Sequence, residues 1–190
     1  MNLANPVAQR HATATLVAVL TCLFGAFVPS AVSSAGTLPK ELAPLAFLLG
    51  DWEGGGSGTP GQGSGGTSFA PRLQDRVIVR TNFATIAATD KAPASRHDDQ
   101  MIIYVDDQGA IRADYYDNEG HVIRYAVTTI GEGQVVFTSE ASSNAPRYRI
   151  TYQAAPEGIV KGSFAMASPG KPDAFTPYLT WDMSRTKKSR

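Results

Sequence analysis

Most of the chain after Asp75 is a succession of short segments in which apolar and polar residues alternate, separated by turns rich in Gly, Asp, Asn and Pro. Alternation with a period of two is typical of strands that are buried on one face, and short turns join such strands in antiparallel hairpins. Little length remains for helices. The predicted strands are 75–85, 101–105, 111–116, 122–130, 135–139, 148–154, 159–167 and 178–183.

An open meander of so many strands would leave two unpaired edges that are prone to aggregate, and closure into a barrel removes both. The sequence therefore predicts an all-β protein, an up-and-down antiparallel β-barrel of about eight to ten strands. Closure pairs the first strand with the last, so we expect Trp52 to lie near Trp181.

A short apolar segment precedes the strands. Residues 37–49 have a helix-start pattern followed by a crowded apolar face, which predicts a short N-terminal capping helix over one barrel end. Trp52 follows directly and is predicted to be a buried plug of that end. The glycine-rich segment 54–66 is predicted to be a flexible loop or a frayed hairpin tip.

The stretch Gly50-Asp51-Trp52-Glu53-Gly54 resembles the opening Gly-x-Trp-x-Gly signature of the nitrobindin-like barrels. These form a branch of the calycins and are related in shape to fatty-acid-binding proteins and lipocalins. The segment 97–125 is similar to exported bacterial proteins of the same barrel type that have no assigned activity. The resemblance implies a calycin-like barrel over the mature chain. The alternative is a core Trp at the start of an unrelated antiparallel barrel.

The resemblance also bears on cofactors, because nitrobindin-like proteins hold a haem through a histidine on a late strand. The last predicted strand, 178–183, contains no histidine. A haem needs an axial protein ligand, so the sequence predicts no cofactor. Met166, Met183, Tyr115 and Tyr152 are the side chains left as unusual haem ligands.

The first 35 residues have the order of a secretory signal peptide. Arg10 precedes an apolar run, 16–28, and small residues follow up to Ala35. The run is shorter than the roughly 20 residues that a membrane-spanning helix needs, so we expect cleavage near Ala35 and no stable membrane insertion afterwards. The predicted location is the periplasm or the medium. The predicted domains are the signal 1–35, one barrel domain 36–185 and a solvated basic tail 186–190.

Charge and cysteine content limit the partners. The whole chain has a formal net charge of +0, and loss of Arg10 leaves a slight acidic excess. Nucleic acid is excluded as a partner, since phosphate binding needs a basic face. The single cysteine, Cys22, lies within the signal without the context of a lipidation site. Without disulfides, the stability of the mature chain must come from its apolar core, and about 150 residues suffice to form one.

Arginines and tyrosines interleave along the predicted strands. A barrel of eight or more strands can hold one small ligand, and an inward Arg with a Tyr hydroxyl can orient a carboxylate in an apolar cavity. The strand arginines are Arg80, Arg112, Arg124, Arg147 and Arg149. The candidate ligand-binding residues are Trp52, Arg124, Tyr125, Arg149, Tyr152 and Trp181.

The pattern leaves open which strand face lines the interior. Arg147 and Arg149 share one face, and Tyr148, Ile150 and Tyr152 share the other. We favour an inward tyrosine face, because it buries Ile150 with two rings and leaves the charges in water. Arginines laid over tyrosine rings on the outside would give the same pattern.

Two histidines remain after the signal, His97 and His121. His97 and Asp99 can share a face and form a metal site with Glu119 or His121, although a zinc site needs three or four ligands. Solvated polar residues are the simpler interpretation, so no metal is predicted. If a metal did bind, His97, Asp99 and His121 would be the candidate ligands. The same histidines with Asp114 or Glu119 would serve as an acid/base pair.

Four functions therefore stay open. The preferred one is a non-catalytic, exported binder of a small apolar or amphipathic molecule. The alternatives are a barrel-type hydrolase or isomerase, a haem-binding nitrobindin-like protein as the resemblance implies, and a structural module with a filled interior. A cavity would separate a binder from a filled module, and a histidine converging with a carboxylate at its mouth would favour the enzyme.

Overall fold

A computed structural model describes residues 37–59, 61–90, 92–142 and 144–186. The predicted signal peptide, 1–35, and all of the predicted basic tail except Thr186 lie outside these residues. Within the described ranges no helix is long and apolar enough to span a membrane.

Ten antiparallel strands close into one barrel. Each strand pairs with its neighbours along the chain, and the last pairs with the first, which confirms the predicted fold class. The strands are β1 (Gly50–Gly58), β2 (Gly61–Arg72), β3 (Val77–Ile86), β4 (Ser95–Val105), β5 (Ile111–Asp117), β6 (Val122–Thr129), β7 (Gln134–Ser139), β8 (Arg147–Ala154), β9 (Val160–Ala167) and β10 (Thr176–Arg185).

Of the two predictions for 54–66, the flexible loop is wrong, and the described residues belong to a hairpin whose strands are paired rather than frayed. Their glycines permit close approach of neighbouring strands. A Cβ atom on Gly54 would overlap the Asp182 carbonyl of β10, and one on Gly56 would overlap the Thr180 carbonyl. Glycine is therefore required here by packing.

A short helix closes one end of the barrel, and a second short 3-10 turn, Pro156–Gly158, lies between β8 and β9. The closing helix is a 3-10 helix, Ala43–Leu48, shorter than the predicted segment 37–49. Leu42, Leu45 and Leu48 are completely buried against the ends of the strands. Apolar burial therefore holds the helix in place, since so short a helix is not stable alone.

Trp52 plugs this end, as predicted. Its side chain is 3% exposed, and its Nε1 donates a 2.7 Å hydrogen bond to the carbonyl of Leu48. The indole thereby joins β1 to the end of the helix. The Arg185 guanidinium lies 4.4 Å from the ring centroid.

The expected neighbourhood of Trp52 and Trp181 is not observed, although β1 and β10 pair. The register places Trp52 opposite Arg185 and Trp181 opposite Gly56. Four residues of strand amount to about 13 Å, so the two indoles lie at different levels of the barrel. Trp181 packs instead against Tyr152, with ring centroids 5.8 Å apart.

The tyrosine face of β8 points inward, as we favoured from the sequence. Ile150 and Tyr152 are buried in the core. On the opposite face, Arg147 forms a 2.8 Å ion pair with Asp173, and Arg149 stacks 3.7 Å from the ring centroid of Phe175. Arginine thus covers apolar surface on the outside of the barrel while its charge stays near water.

Candidate functional site

The interior contains a cavity of about 510 Å³ that extends from Trp52, at the helix end, to the strand ends remote from the helix. Seven of the residues that β1 and β2 contribute to its wall are glycines, so this part of the wall carries few side chains. Aromatic and aliphatic side chains form much of the opposite wall, among them Ile123, Tyr148, Phe164, Leu179 and Trp181. The interior is therefore not filled by its own side chains.

A buried ion pair lies on the β3 and β4 wall of the cavity. Arg80 and Asp99 are 6% and 9% exposed, and Arg80 Nη1 lies 3.0 Å from Asp99 Oδ1. Asn82 Nδ2 donates a 2.7 Å hydrogen bond to the other carboxylate oxygen, Oδ2. Asn82 faces Asp99 in the strand register, and period-two alternation puts Arg80 on the same inner face.

Three tyrosines of the inner face surround this ion pair. Burial raises the pKa of Tyr115, Tyr125 and Tyr152 above that of a free tyrosine. Their hydroxyls are therefore neutral at pH 7 and can donate hydrogen bonds. Together with Arg80 they place several hydrogen-bond donors around the ion pair.

The ion pair is incompletely hydrogen-bonded. Within the described part of the chain, the buried side-chain atoms without a hydrogen-bond partner are Arg80 Nε, Arg80 Nη1, Asp99 Oδ1 and Arg149 Nε. Arg80 Nη1 and Asp99 Oδ1 approach each other, but not with hydrogen-bond geometry. A buried donor without a partner costs about 1–3 kcal/mol. Arg80 therefore offers unused N–H groups at the cavity.

His97 lies nearer the mouth, between three partners. Its Nδ1 is 3.1 Å from Glu119 Oε1, and its Nε2 is 2.9 Å from the Tyr115 hydroxyl and 3.4 Å from Asp99 Oδ2. Hydrogen bonding to Asp99, with a further contribution from Glu119 and against the effect of burial, raises the pKa of His97 to about 9. The imidazole is consequently protonated at neutral pH.

Asp117 organises the turn between β5 and β6. Its Oδ1 accepts the backbone N–H groups of Glu119 and His121, at 3.0 and 2.9 Å. Its Oδ2 lies 2.8 Å from His121 Nδ1 and accepts a 3.2 Å hydrogen bond from Tyr115. Although burial opposes the effect, the bonds from His121 lower the pKa of Asp117. The turn is thus built around one ionised carboxylate.

The metal hypothesis placed His97 and Asp99 in one site with Glu119 or His121. The structure brings His97 to Asp99 and to Glu119, but Asp99 is taken up by Arg80 and Asn82. Asp117, which was not selected from the sequence, is the carboxylate that lies beside His121 instead of Asp99. The sequence did indicate it, because period-two alternation puts Asp117 on the same face as Tyr115.

The candidate ligand-binding residues divide between the two faces of the barrel. Trp52, Tyr125 and Trp181 line the cavity, and Tyr152 is buried beside it, next to Trp181. Arg124 is exposed and Arg149 is half-buried against Phe175, and neither lines the cavity.

Arg124 and Arg149, chosen from the sequence as ligand-binding residues, therefore lie outside the cavity. Alternation places both on the outer face, where water solvates their charges. The inward arginine is Arg80, which the sequence shows among the strand arginines without distinguishing it. Asp114, proposed as an acid/base partner, also lies outside the cavity lining, on the face opposite to Tyr115.

Comparison of the chain with models of known protein families gives no match, and comparison with curated proteins gives none either.

Proposed function

We propose that the protein binds a small amphipathic molecule without transforming it, and holds it in the barrel cavity with an oxygen of its polar group on Arg80. The cavity volume of about 510 Å³ lies within the range of roughly 300–1,000 Å³ that ligand sites occupy. Its composition, an apolar wall with a few converging polar groups, is also that of a ligand site.

The observation that carries the proposal is that Arg80 Nε and Nη1 make no hydrogen bond with the described residues, although Nη1 lies in the ion pair with Asp99. A guanidinium presents its donors in a planar fork that suits a carboxylate or a carbonyl oxygen. Because Arg80 is 6% exposed, bulk water does not readily satisfy these donors. An acceptor group on a ligand would satisfy them, while its apolar part contacts Phe164 and Trp181.

A titration with matched probes tests this proposal. Decanoic acid, decanal and decane share a chain length and differ in the acceptor group. Intrinsic fluorescence reports binding, since Trp52 and Trp181 line the cavity. We expect saturable binding of the acid or the aldehyde that is at least tenfold tighter than that of decane.

Variants then assign the binding to the cavity. Arg80→Met combined with Asp99→Asn avoids an unpaired buried charge, and circular dichroism checks that it folds. We expect it to lose at least tenfold in affinity for the acceptor-bearing probe. Ala84→Phe, which narrows the cavity away from the ion pair, should also weaken binding. Arg149→Met is the matched arginine control on the outer face. Unchanged affinity in both folded cavity variants would refute the proposal.

We also propose that the protein is exported and its signal cleaved. The support is the order of charged, apolar and small residues in 1–35. N-terminal sequencing of the protein from its host's envelope fraction should begin at or near Gly36. A cytosolic protein that retains Met1 would contradict export.

A barrel-type hydrolase or isomerase is the second candidate, favoured by the convergence of His97 and Glu119 at the cavity mouth. A protonated His97 would act as a general acid. A panel of p-nitrophenyl esters tests for hydrolysis, and Glu119→Gln tests the role of the pair. Turnover that is lost in Glu119→Gln, with the fold retained, would favour the enzyme over the binder.

A further inference from the structure

We propose that His97, Asp117 and Glu119 form a binding site for a divalent transition-metal ion at the mouth of the cavity. One ligand atom from each residue lies within 4.8 Å of the others. The residues come from β4, from the end of β5 and from the turn that follows. This inference goes beyond small-molecule binding and does not depend on it.

The distances between the donor atoms suit an ion. His97 Nδ1 lies 3.1 Å from Glu119 Oε1, and His121 Nδ1 lies 2.8 Å from Asp117 Oδ2 and 4.0 Å from Glu119 Oε2. Bonds of about 2.0–2.1 Å in a tetrahedral zinc site place ligand atoms roughly 3.3 Å apart. An ion bound by His97, Asp117 and Glu119 would take the place of the His121 Nδ1 contact with Asp117 Oδ2.

The orientation of His97 is fixed from behind. Its Nε2 is 2.9 Å from the Tyr115 hydroxyl and 3.4 Å from Asp99 Oδ2, so Nδ1 is turned toward Glu119. Asp99 is itself held by Asn82 and Arg80. A histidine that ligates a metal commonly has its second ring nitrogen held by a carboxylate in this way, and the buried partner sets the ring orientation.

The charge balance of the site favours a divalent cation. Asp99, Asp117 and Glu119 carry three negative charges, and Arg80 carries one positive charge against them. Arg96 does not contribute, because it forms its own ion pair with Asp98. An ion that binds His97 Nδ1 must replace the proton on that atom, and the cluster with its imidazoles neutral then has a net charge of about minus two, which one divalent ion neutralises.

The donor types select the class of metal. Imidazole and carboxylate donors suit Zn²⁺, Co²⁺, Mn²⁺ or Fe²⁺, whereas Mg²⁺ and Ca²⁺ prefer oxygen donors alone. Three protein ligands leave a coordination position open, which is typical of metal sites that bind a further molecule. His97, Asp117 and Glu119 all line the cavity, so that position is accessible to its contents.

Metal titrations of the protein test the site. After dialysis against a chelator, we expect isothermal titration calorimetry to show one equivalent of Zn²⁺, and Co²⁺ to give visible absorption bands of a low-coordinate site. Mg²⁺ should bind at least 100-fold more weakly than Zn²⁺. The measurement uses no organic ligand, so its outcome is separate from that of the small-molecule proposal.

Variants assign the ion to these residues. Glu119→Gln changes an exposed turn residue, so the barrel should fold, and we expect Zn²⁺ affinity to fall at least tenfold. His97→Gln should cause a loss of at least the same size. Glu132→Gln, in the exposed turn after β6, is the matched control and should bind as the wild type does. Absence of stoichiometric Zn²⁺ and Co²⁺ binding in the folded protein, or equal Zn²⁺ affinity in Glu119→Gln and wild type, would overturn the proposal.

Discussion

Replacement of Trp52 by alanine should destabilise the barrel more than most single changes. The side chain is 3% exposed and lies in the apolar cluster with Leu45 and Leu48. Its hydrogen bond to the Leu48 carbonyl holds the end of the helix, and its ring contacts Arg185. The substitution removes all three interactions at one barrel end.

The magnitude follows from the buried area. An indole buries roughly 150–250 Å², which corresponds to about 4–6 kcal/mol at 25 cal/mol per Å² as an upper bound. Large core truncations cost about 3–5 kcal/mol. We therefore expect the free energy of unfolding to fall by about 3–5 kcal/mol. For a domain of this size, the melting temperature should fall by on the order of 10 °C.

Urea unfolding followed by far-ultraviolet circular dichroism measures this loss. Trp52→Phe is the matched control, because it keeps an aromatic ring at the site and loses the bond to Leu48. We expect it to cost about 1–2 kcal/mol, the range for a smaller ring and one lost hydrogen bond. A midpoint for Trp52→Ala equal to that of the wild type would show that the buried indole does not stabilise the barrel. Equal losses in both variants would show that the hydrogen bond, and not burial, is what matters.

Three further predictions concern the strands and the cavity. Gly56→Ala should destabilise the barrel by about 1–3 kcal/mol, since its Cβ would overlap a backbone carbonyl of β10. Gly55→Ala, where the nearest atom is farther away, should cost less. Equal losses in thermal unfolding would contradict the role of close packing against β10. Arg149→Met should change the free energy of unfolding by less than about 1 kcal/mol and leave probe binding intact. Tyr152→Ala should lower the free energy of unfolding by about 3 kcal/mol or more and impair binding. The reverse order of the two losses in urea unfolding would be inconsistent with the inward tyrosine face. Hemin titration should show weak, non-saturating absorbance changes, and a sharp Soret band at one equivalent would restore the haem function that the resemblance implies.

The individual strands were accessible from the sequence because their signals are local. Alternation and turn residues act over a few positions, and they located the strands from β3 to β10 to within a few residues, except that β4 begins earlier than predicted, at Ser95. The β1–β2 hairpin was missed for the opposite reason. Its glycines lack intrinsic strand preference, and only contact with β3 and β10 requires them.

The candidate site was only partly accessible. The Asp117–His121 turn is local in sequence, but its approach to His97 depends on the pairing of β4 with β5, where Asp99 faces Asp117. The ion pair of Arg80 with Asp99 depends likewise on the register of β3 with β4. Register between strands depends on side-chain contacts that the residues of one strand do not report.

Local patterns along the chain predicted antiparallel strands with one buried face, and the need to pair the outermost edges predicted closure into a barrel. The sequence also restricted the polar contents of the interior, because period-two alternation groups residues into two sets on every strand. Apart from β8, where the sequence favoured the tyrosine face, the folded barrel shows which set faces inward, and it places Arg80 at the cavity and Arg124 and Arg149 outside. Burial of a face is a property of the closed barrel, because it depends on contacts between residues far apart in the chain.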